Sequence, residues 1–391
     1  MNPGQNPFEP GAGSQPPELA VRDDLIRRVT IAIERQRNGR TMRGVVLVGL
    51  RGVGKTVLLR RMGKEAERME ALAVDIEAPE DRSLPALLIP RLKKTLYQLS
   101  AAEAARDAAE RGLRVLLGFS RALKLKYADI EVSLEGQTEP GTADNGDLEQ
   151  DLQEVFLAVG AAAAAAGRCV VLLIDELQYV KKKELSALLM ALHRTTQESL
   201  PVLFLGAGLP QLRQKVANAK SYAERLVEFP GIGQLCAQDA RTALQKPAQQ
   251  QGHAFTEAAL DRILRETDRY PYFLQEWGKQ TWDVAAASPF EAEDVDRATE
   301  LALLSLDESF FQVRFDRMTP KEKDYVRTMA DLGPGPHRSG EIAAAMNREV
   351  QNVGGTRDTL IRKGLIWSPE HGQTAFTVPL FDRYLKRKLR P

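Results

Sequence analysis

Short apolar runs alternate with longer amphipathic stretches over roughly the first 230 residues of the chain. Runs without a polar residue are typical of strands that are buried on both faces. Four predominantly apolar runs, predicted as strands, lie at 45–48, 71–76, 170–174 and 201–205, and only the second contains a charged residue, Asp75. Apolar residues recur at helical spacing over 18–38, 57–69, 84–126, 147–166 and 183–199. This alternation predicts an α/β fold with a mostly parallel sheet and helices on both faces.

Two segments between these elements have different patterns. Ile130, Val132 and Leu134 alternate with charged or polar residues, which predicts a short strand or hairpin arm. Residues 136–146 are polar and rich in Gly, Pro and Asp, so we expect a mobile loop there.

The rest of the chain is predicted to be helical, with one hairpin. Residues 238–299 give three helical stretches, broken at Gly252 and at Tyr270-Pro271. Three further helices and two apolar runs around a turn, a pattern typical of a winged helix, lie at 320–331, 339–346, 350–363, 365–367 and 375–378. The predicted divisions are an extended tail, an α/β domain, a helical lid and a winged helix, at 1–17, 18–232, 233–318 and 319–391.

A glycine-rich turn follows the first predicted strand and matches G-x-x-x-x-G-K-[ST] in full. Its residues are Gly49, Leu50, Arg51, Gly52, Val53, Gly54, Lys55 and Thr56, with Val57 next in the following helix. Glycines let backbone N–H groups curl around a polyphosphate, and the helix that follows points its positive end at the anion. We expect Lys55 to reach the β and γ phosphates and the Thr56 hydroxyl to bind Mg²⁺.

The third predicted strand ends in two carboxylates, Asp175 and Glu176, an arrangement known as Walker B. Asp175 is expected to hold Mg²⁺ directly or through water. Glu176 is expected to orient and deprotonate the attacking water. The alternative is that both residues merely cap the next helix.

With these motifs, the chain resembles AAA+ ATPases, and specifically the origin-recognition-complex-like branch and related archaeal-type and bacterial AAA-family ATPases. The supporting segments are Leu19 to Asp23, Gly206 to Pro210, Tyr270 to Leu274 and Val378 to Phe381. The resemblance implies ATP and Mg²⁺ as ligands. It also implies that Val21, Arg22, Pro271 and Tyr272 lie near the adenine.

The resemblance further implies that Arg225 occupies the place of an arginine finger, which would act on a neighbouring subunit's nucleotide. The alternative is a surface salt bridge with Glu224 or Glu228. The chain also departs from the family, because Gly206 to Gly208 replace a common polar sensor residue and no clear sensor arginine appears in the lid. We therefore expect hydrolysis to be slow or dependent on a partner.

Charge separates the C-terminal part from the rest. The net charge is +1 overall, but residues 319–391 carry 13 Lys and Arg against 8 Asp and Glu. A basic winged helix can contact DNA, and its third helix offers Gln351, Asn352, Thr356, Arg357, Arg362 and Lys363. The alternative is that this module docks a protein.

Composition excludes some kinds of site and targeting segment. The two cysteines are far apart and fit no metal site, and residues 1–18 lack the pattern of a secretory signal. Gly167 and Arg168 interrupt the apolar stretch at 155–174, so we expect a soluble cytoplasmic protein.

Three functional hypotheses remain open. The first is an ATP-hydrolysing switch or motor whose lid and winged helix act on DNA or a protein. The second is a signalling scaffold that holds nucleotide with negligible turnover. The third is a DNA-binding regulator that also binds ATP. Assembly into homo-oligomers stays open with them.

Overall fold

The computed structural model describes residues 1–11, 22–123 and 138–388. The predicted strand around Ile130, Val132 and Leu134 lies outside these ranges, as does Val21. The predicted loop is described only from residue 138 onward, where it forms turns and bends that bury Ala143.

A five-stranded parallel sheet forms the centre of the N-terminal half. Its strands are β1 (Gly44–Val48), β2 (Leu72–Glu77), β3 (Val170–Asp175), β4 (Val202–Gly208) and β5 (Val227–Glu228). The spatial order is β2-β3-β4-β1-β5, so β4 separates β1 from β3. In this order the carboxyl ends of β1 and β3 meet at one edge of the sheet, where their loops can share a ligand. Four strands were predicted, and the fifth has only two residues, too few to give a sequence pattern.

Helices cover both faces of the sheet, which confirms the predicted fold class. Alternate residues of one strand enter different cores: Val46 and Val48 pack in one, and Val45 and Leu47 in the other. The helices are α1 (Asp23–Arg37), α2 (Lys55–Arg68), α3 (Leu84–Ser100), α4 (Arg106–Ala122), α5 (Leu148–Ala165), α6 (Lys182–Gln197), α7 (Leu212–Ala217) and α8 (Ala223–Leu226). Single-turn 3-10 helices lie at Pro3–Gln5, Glu103–Ala105 and Leu177–Tyr179.

The lid contains four helices within the described residues, where the sequence predicted three stretches. They are α9 (Ala237–Gln250), α10 (Glu257–Thr267), α11 (Pro271–Val284) and α12 (Ala292–Ser305). The additional break falls at residues 285–291, where Pro289 removes a backbone donor that a continuous helix would need.

The C-terminal part follows α12 without a loop, through a π-helical segment (Leu306–Phe311). It contains α13 (Gln312–Asp316), α14 (Pro320–Leu332), β6 (His337–Arg338), α15 (Ser339–Ala345), α16 (Val350–Arg362), β7 (Ile366–Trp367), β8 (Gln373–Phe376) and α17 (Phe381–Lys388). Three helices with a small antiparallel sheet in the order β6-β8-β7 form a winged-helix-like module. The helix α17 carries Arg383, Lys386, Arg387 and Lys388, and it buries Phe381, Tyr384 and Leu385 against this module.

The lid and the winged-helix-like module share one hydrophobic core. Phe311, at the end of the π-helical segment, stacks on Tyr384 with ring centroids 5.2 Å apart. A shared core makes these two parts one packing unit above the sheet. Across the described residues, none of the helices combines the length and the apolar character needed to span a bilayer.

Candidate functional site

The loop between β1 and α2 adopts a conformation that requires its glycines. Gly52 and Gly54 have φ angles of +77° and +85°, in the left-handed region that favours glycine. Gly49 is restricted by packing, because an added Cβ would lie 2.0 Å from the carbonyl oxygen of Ile232. The loop therefore presents its backbone closely enough to surround a phosphate chain.

Lys55 lies in the first turn of α2 with only 8% of its surface exposed. Its Nζ donates to the carbonyl oxygen of Leu50 at 2.8 Å. Burial lowers the pKa of Lys55 to about 8, and the charges of Glu176 and Asp175 oppose that shift. A buried ammonium group at a helix N-terminus favours an anionic ligand.

Asp175 and Thr56 come together where β3 ends and α2 begins. Burial raises the pKa of Asp175, while a side-chain hydrogen bond with Thr56 acts in the opposite direction. The Oδ1 atom of Asp175 also accepts the backbone N–H of Glu176 at 2.8 Å. Mg²⁺ is usually held by one or two carboxylates with phosphate oxygens and water, so a carboxylate beside a hydroxyl fits this ion. Within residues 1–11, 22–123 and 138–388, no three His, Cys, Asp or Glu side chains cluster as a metal site.

Glu176 follows directly, with a left-handed backbone conformation at φ +51°. Its carboxylate lies 3.8 Å from Nη1 of Arg51 and accepts a short hydrogen bond from the amide of Gln178. The Oε1 atom of Gln178 in turn accepts the backbone N–H of Leu209 at 3.1 Å. Two side chains therefore hold the carboxylate that was predicted to activate water.

Gln178 offers a physical reason for the glycines at the end of β4. An added Cβ at Gly208 would lie 2.6 Å from Oε1 of Gln178. The polar group that the resemblance places on this strand is absent from Gly206 to Gly208, and a glutamine from the adjacent turn occupies the space instead. Sequence reasoning missed Gln178, because no motif marks a residue two positions after the carboxylate pair.

A cavity of about 700 Å³ lies over the loop, between the sheet, the lid and the C-terminal part. Lid residues form an uncharged wall of Leu235, Ala243, Pro271 and Leu274. The backbone N–H of Tyr272 donates to the carbonyl oxygen of Gly52 at 3.1 Å. The lid thus contacts the loop between β1 and α2 directly. The volume of the cavity is within the usual range of small-molecule sites.

Basic residues from the C-terminal part form a further wall of this cavity, the C-terminal wall: Arg314, Arg317 and Lys363. Arg317 lies 3.0 Å from Glu80, and Lys363 lies 2.7 Å from Glu322. Arg314 forms no ion pair with a carboxylate among the described residues. Burial lowers its pKa to about 10, and the like charge of Arg51 acts in the same direction.

Arg314 is positioned by aromatic stacking. Its guanidinium lies 4.0 Å from the ring centroid of Phe310, and Phe310 stacks on Tyr272 at 4.7 Å. A partly buried guanidinium without a carboxylate partner is well suited to bind an anion in the cavity. The sequence offered no signal for Arg314, since it lies outside any motif and beyond the helices of the lid.

The winged-helix-like module reaches the loop through Arg51. The backbone N–H of Arg51 donates to the carbonyl oxygen of Thr377 at 3.0 Å. Its guanidinium donates to the Tyr179 hydroxyl at 2.8 Å and to the carbonyl oxygen of Gly364 at 3.4 Å. Arg51 therefore contacts both the carboxylate of Glu176 and the winged-helix-like module.

The structure brings most of the predicted adenine contacts to the cavity. Arg22 donates to the carbonyl oxygens of Val53 and Gly233, both at 3.0 Å, while Pro271, Tyr272 and Val57 line the walls.

Arg225 lies apart, exposed on the short helix α8, and is not among the residues that line the cavity. The alternative for Arg225, a surface salt bridge with Glu224 or Glu228, is not formed among the described residues. Glu228 pairs instead with Arg28 and Arg43, at 2.9 and 3.1 Å.

Two of the six predicted DNA-contacting residues bind other elements of the chain instead, and a third, Arg362, donates to the Thr359 hydroxyl on its own helix at 3.1 Å. Arg357 donates to Thr374, Ser368 and the Gln373 carbonyl oxygen at 2.9 to 3.2 Å. Lys363 binds Glu322, as described above. These side chains connect α16 to the wing and to α14, which leaves fewer groups on α16 for reading bases.

Comparison with known proteins gives two family matches. Residues 18–205 match the family described as AAA ATPase domain. Residues 308–385, which include Arg314 and the winged-helix-like module, match a domain of unknown function (DUF8462). No curated protein matches the chain.

Solved structures are similar at low sequence identity. The Walker-type ATPase of Pyrococcus abyssi has a TM-score of 0.60 at 15% identity, covering 94% of this chain and 96% of that chain. RuvB, the Holliday junction branch migration motor of Thermotoga maritima, has a TM-score of 0.45 at 15% identity, covering 96% and 99%. The ORC1 protein of Aeropyrum pernix, in complex with DNA, has a TM-score of 0.47 at 15% identity, covering 95% and 94%. The first likeness shows a shared fold, and the two lower scores support no further conclusion.

Proposed function

We propose that the chain is an AAA+ P-loop protein that binds and hydrolyses ATP with Mg²⁺, since residues 18–205 match the AAA ATPase domain. The observation that carries the proposal is the convergence of Lys55, Thr56, Asp175 and Glu176 at one edge of the sheet, beneath a cavity of about 700 Å³. A buried ammonium, a carboxylate–hydroxyl pair and a second carboxylate are the groups that phosphoryl transfer to water requires.

Each group has a distinct role in this proposal. Backbone N–H groups of the loop from Gly49 to Thr56 surround the phosphates, and Lys55 neutralises charge on the β and γ phosphates. Thr56 and Asp175 hold Mg²⁺, which supplies positive charge where the transferred phosphoryl group becomes more negative. Glu176 orients a water molecule and accepts its proton.

The side chain of Glu176 is restrained in this structure. Its carboxylate is held by Arg51 and Gln178, and Arg51 is bonded to the winged-helix-like module. These partners occupy one accepting position on each carboxylate oxygen and so restrict how Glu176 can approach a water molecule. We therefore expect slow turnover by the isolated chain, with the lid helices α9 to α12 and the C-terminal part moving together when turnover is stimulated.

A second candidate function, a nucleotide-holding scaffold with negligible turnover, is favoured by the same restraint on Glu176. Under this alternative, ATP stabilises the contact between the loop and the C-terminal module, and the module docks a protein. A DNA partner is the weaker proposal for this surface, because Arg357 and Lys363 are already bonded within the chain.

Replacing Glu176 by Gln separates the two candidates. We expect Mg²⁺-dependent phosphate release by the wild type, at least about 100-fold slower in E176Q, with ATP affinity retained. Glu198→Gln, on the surface turn after α6, is the control and should hydrolyse ATP like the wild type. Equal rates in the wild type and E176Q would contradict hydrolysis at this site, and no turnover in either would support the scaffold.

Assembly is tested separately through Arg225. We propose that Arg225 acts only across an interface, because it is exposed and distant from the cavity of its own chain. Mass in solution should then increase with ATP relative to ADP. A mass that does not change with either nucleotide would exclude a nucleotide-dependent role for Arg225.

A further inference from the structure

The N-terminal residues 1–11, predicted as a plain extended tail, pack along the lid in the structure. Phe8 is only 2% exposed and belongs to the core that the lid shares with the C-terminal part. Its ring lies edge-on to Phe255 with centroids 6.1 Å apart. An added Cβ at Gly278 would lie 2.7 Å from the Phe8 ring, so this glycine of α11 leaves the space in which Phe8 packs.

Hydrogen bonds fix the segment on either side of Phe8. The Asn6 amide donates to the carbonyl oxygen of Lys279 at 3.1 Å and to the Asp283 carboxylate at 2.9 Å. The Asn6 side-chain oxygen accepts the backbone N–H of Phe8 at 3.0 Å. The backbone N–H of Glu9 then donates to Oε1 of Gln275 at 3.3 Å. Three of these four bonds lead to one helix, α11, so residues 6–11, termed the strap, are held on the lid.

The far end of the strap enters the nucleotide cavity. Glu9, Pro10 and Gly11 line it together with the uncharged lid wall of Leu235, Ala243, Pro271 and Leu274. Gln275, the partner of Glu9, directly follows Leu274 on α11. The cationic groups that line the cavity come from other elements: Arg22, Arg51, Lys55 and Arg61 from the sheet side, and Arg314, Arg317 and Lys363 from the C-terminal side.

This separation of charge assigns the two ends of the cavity to different parts of a nucleotide. Phosphates need cations and backbone N–H groups, which the loop and Lys55 provide. A flat apolar ring system needs uncharged surface with a few polar groups, which the lid wall and the strap backbone provide. We propose that the strap forms part of the site for the nucleotide base, and so couples base binding to the lid. This inference rests on the proposed function, since it needs a nucleotide in the cavity.

Two variants test the strap, with Mg²⁺–ATP and Mg²⁺–tripolyphosphate as probes. Gly278→Leu should displace Phe8 from α11 while keeping a residue that favours a helix. Gly11→Trp should fill the base end of the cavity with the strap still docked. Gly355→Leu, at a helical glycine with no atom within 4 Å of an added Cβ, is the matched control.

We expect the Kd for ATP to rise about tenfold in both strap variants, with the Kd for tripolyphosphate changed by less than about twofold. The control should leave both constants unchanged. Unaltered ATP affinity in Gly11→Trp, or equal loss of both ligands, would overturn the base site even if Gly278→Leu disturbed the lid. A wild type that binds neither probe would overturn the proposed function instead, so the two failures can be distinguished.

Discussion

The two walls of the cavity are built in different ways. The sheet-side wall takes its chemistry from two short segments, residues 49–56 and the pair Asp175 and Glu176, fixed at the ends of the buried strands β1 and β3. The C-terminal wall carries Arg314 and Lys363, which lie more than 250 residues after the loop in the sequence. The sheet side is therefore fixed by buried strands, while the C-terminal wall belongs to the packing unit that shares its core with the lid.

This difference predicts how substitutions divide. Changes at Lys55, Thr56, Asp175 or Glu176 on the sheet side should abolish turnover, because they remove groups that act on the phosphates or the water. Changes at Arg314 on the C-terminal wall should alter affinity or nucleotide discrimination, and changes at Arg51 should alter the restraint on Glu176.

The largest effect is expected for Asp175→Asn. The substitution removes the negative charge beside Thr56 and so weakens Mg²⁺ binding at a site that fits this ion. We expect turnover to fall at least about 100-fold, with a shift of the Mg²⁺ dependence to higher concentration. Asp144→Asn, in the loop before α5 and outside the cavity, is the control. Full activity of Asp175→Asn at ordinary Mg²⁺ would place the metal elsewhere.

Arg314→Gln tests the C-terminal wall. If Arg314 binds the terminal phosphate, its loss should weaken ATP about tenfold or more, because a hydrogen bond to a charged group contributes about 1.5–3 kcal/mol. ADP affinity should change much less. Arg317→Gln is the matched control, since Arg317 is already paired with Glu80 at 3.0 Å and should show little effect. Equal weakening of ATP and ADP by Arg314→Gln would show that this residue does not distinguish the terminal phosphate.

Arg51→Ala should have a smaller effect of opposite sign on turnover. The guanidinium lies 3.8 Å from Glu176 in a partly exposed pair, and such pairs contribute at most about 1 kcal/mol. Releasing Glu176 should raise kcat by no more than about fivefold. Steady-state hydrolysis would measure this, with Arg43→Ala as a surface control on the same sheet. A fall in kcat would mean that Arg51 acts on the phosphates rather than as a restraint.

Glu322→Gln should leave the chemistry nearly unchanged and affect the stability of the C-terminal part. Burial alone would raise the pKa of Glu322, but hydrogen bonds with Lys363 and Thr319 lower it below its usual value of 4.5. The carboxylate therefore stabilises the fold above pH 4.5, and this stability is lost as pH falls through the lower folded-state pKa. Its removal should cost about 1–3 kcal/mol.

Thermal unfolding at several pH values provides the measurement for Glu322. The difference between the wild type and E322Q should be largest near neutral pH and should shrink below pH 4.5. Glu370→Gln, on the exposed wing turn, is the control. A difference that stays constant down to the lowest pH would contradict an ionised Glu322 as the stabilising group.

How far the sequence predicts this molecule depends on how local each feature is. The buried strands and the loop from Gly49 to Thr56 are contiguous, so their side-chain patterns were sufficient to place the sheet edge and its charged groups. The two residues of β5 are too few for a pattern, and the last break in the lid was missed. Arg314 and the strap around Phe8 depend on packing between segments far apart in the chain, which a single sequence does not record.

The site shows the same limit at closer range. Glu176 was predicted from its position after β3, but its restraint by Gln178 and Arg51 depends on the turn that follows and on the space left by Gly208. The sequence made Arg357 a candidate for DNA contact because it predicts the helix but not the partners of its side chains. Its partners on the wing became visible only in three dimensions.

The central claim is that a triphosphate binds at the loop and that Lys55 contributes to its affinity. Calorimetric titration of Mg²⁺–ATP into the wild type and Lys55→Ala measures this most directly. Lys182→Ala, at an exposed residue in the first turn of α6, is the control. We expect saturable binding by the wild type and the control, and a loss of about 10- to 100-fold in Lys55→Ala. Equal affinity of Lys55→Ala and the wild type would contradict the account.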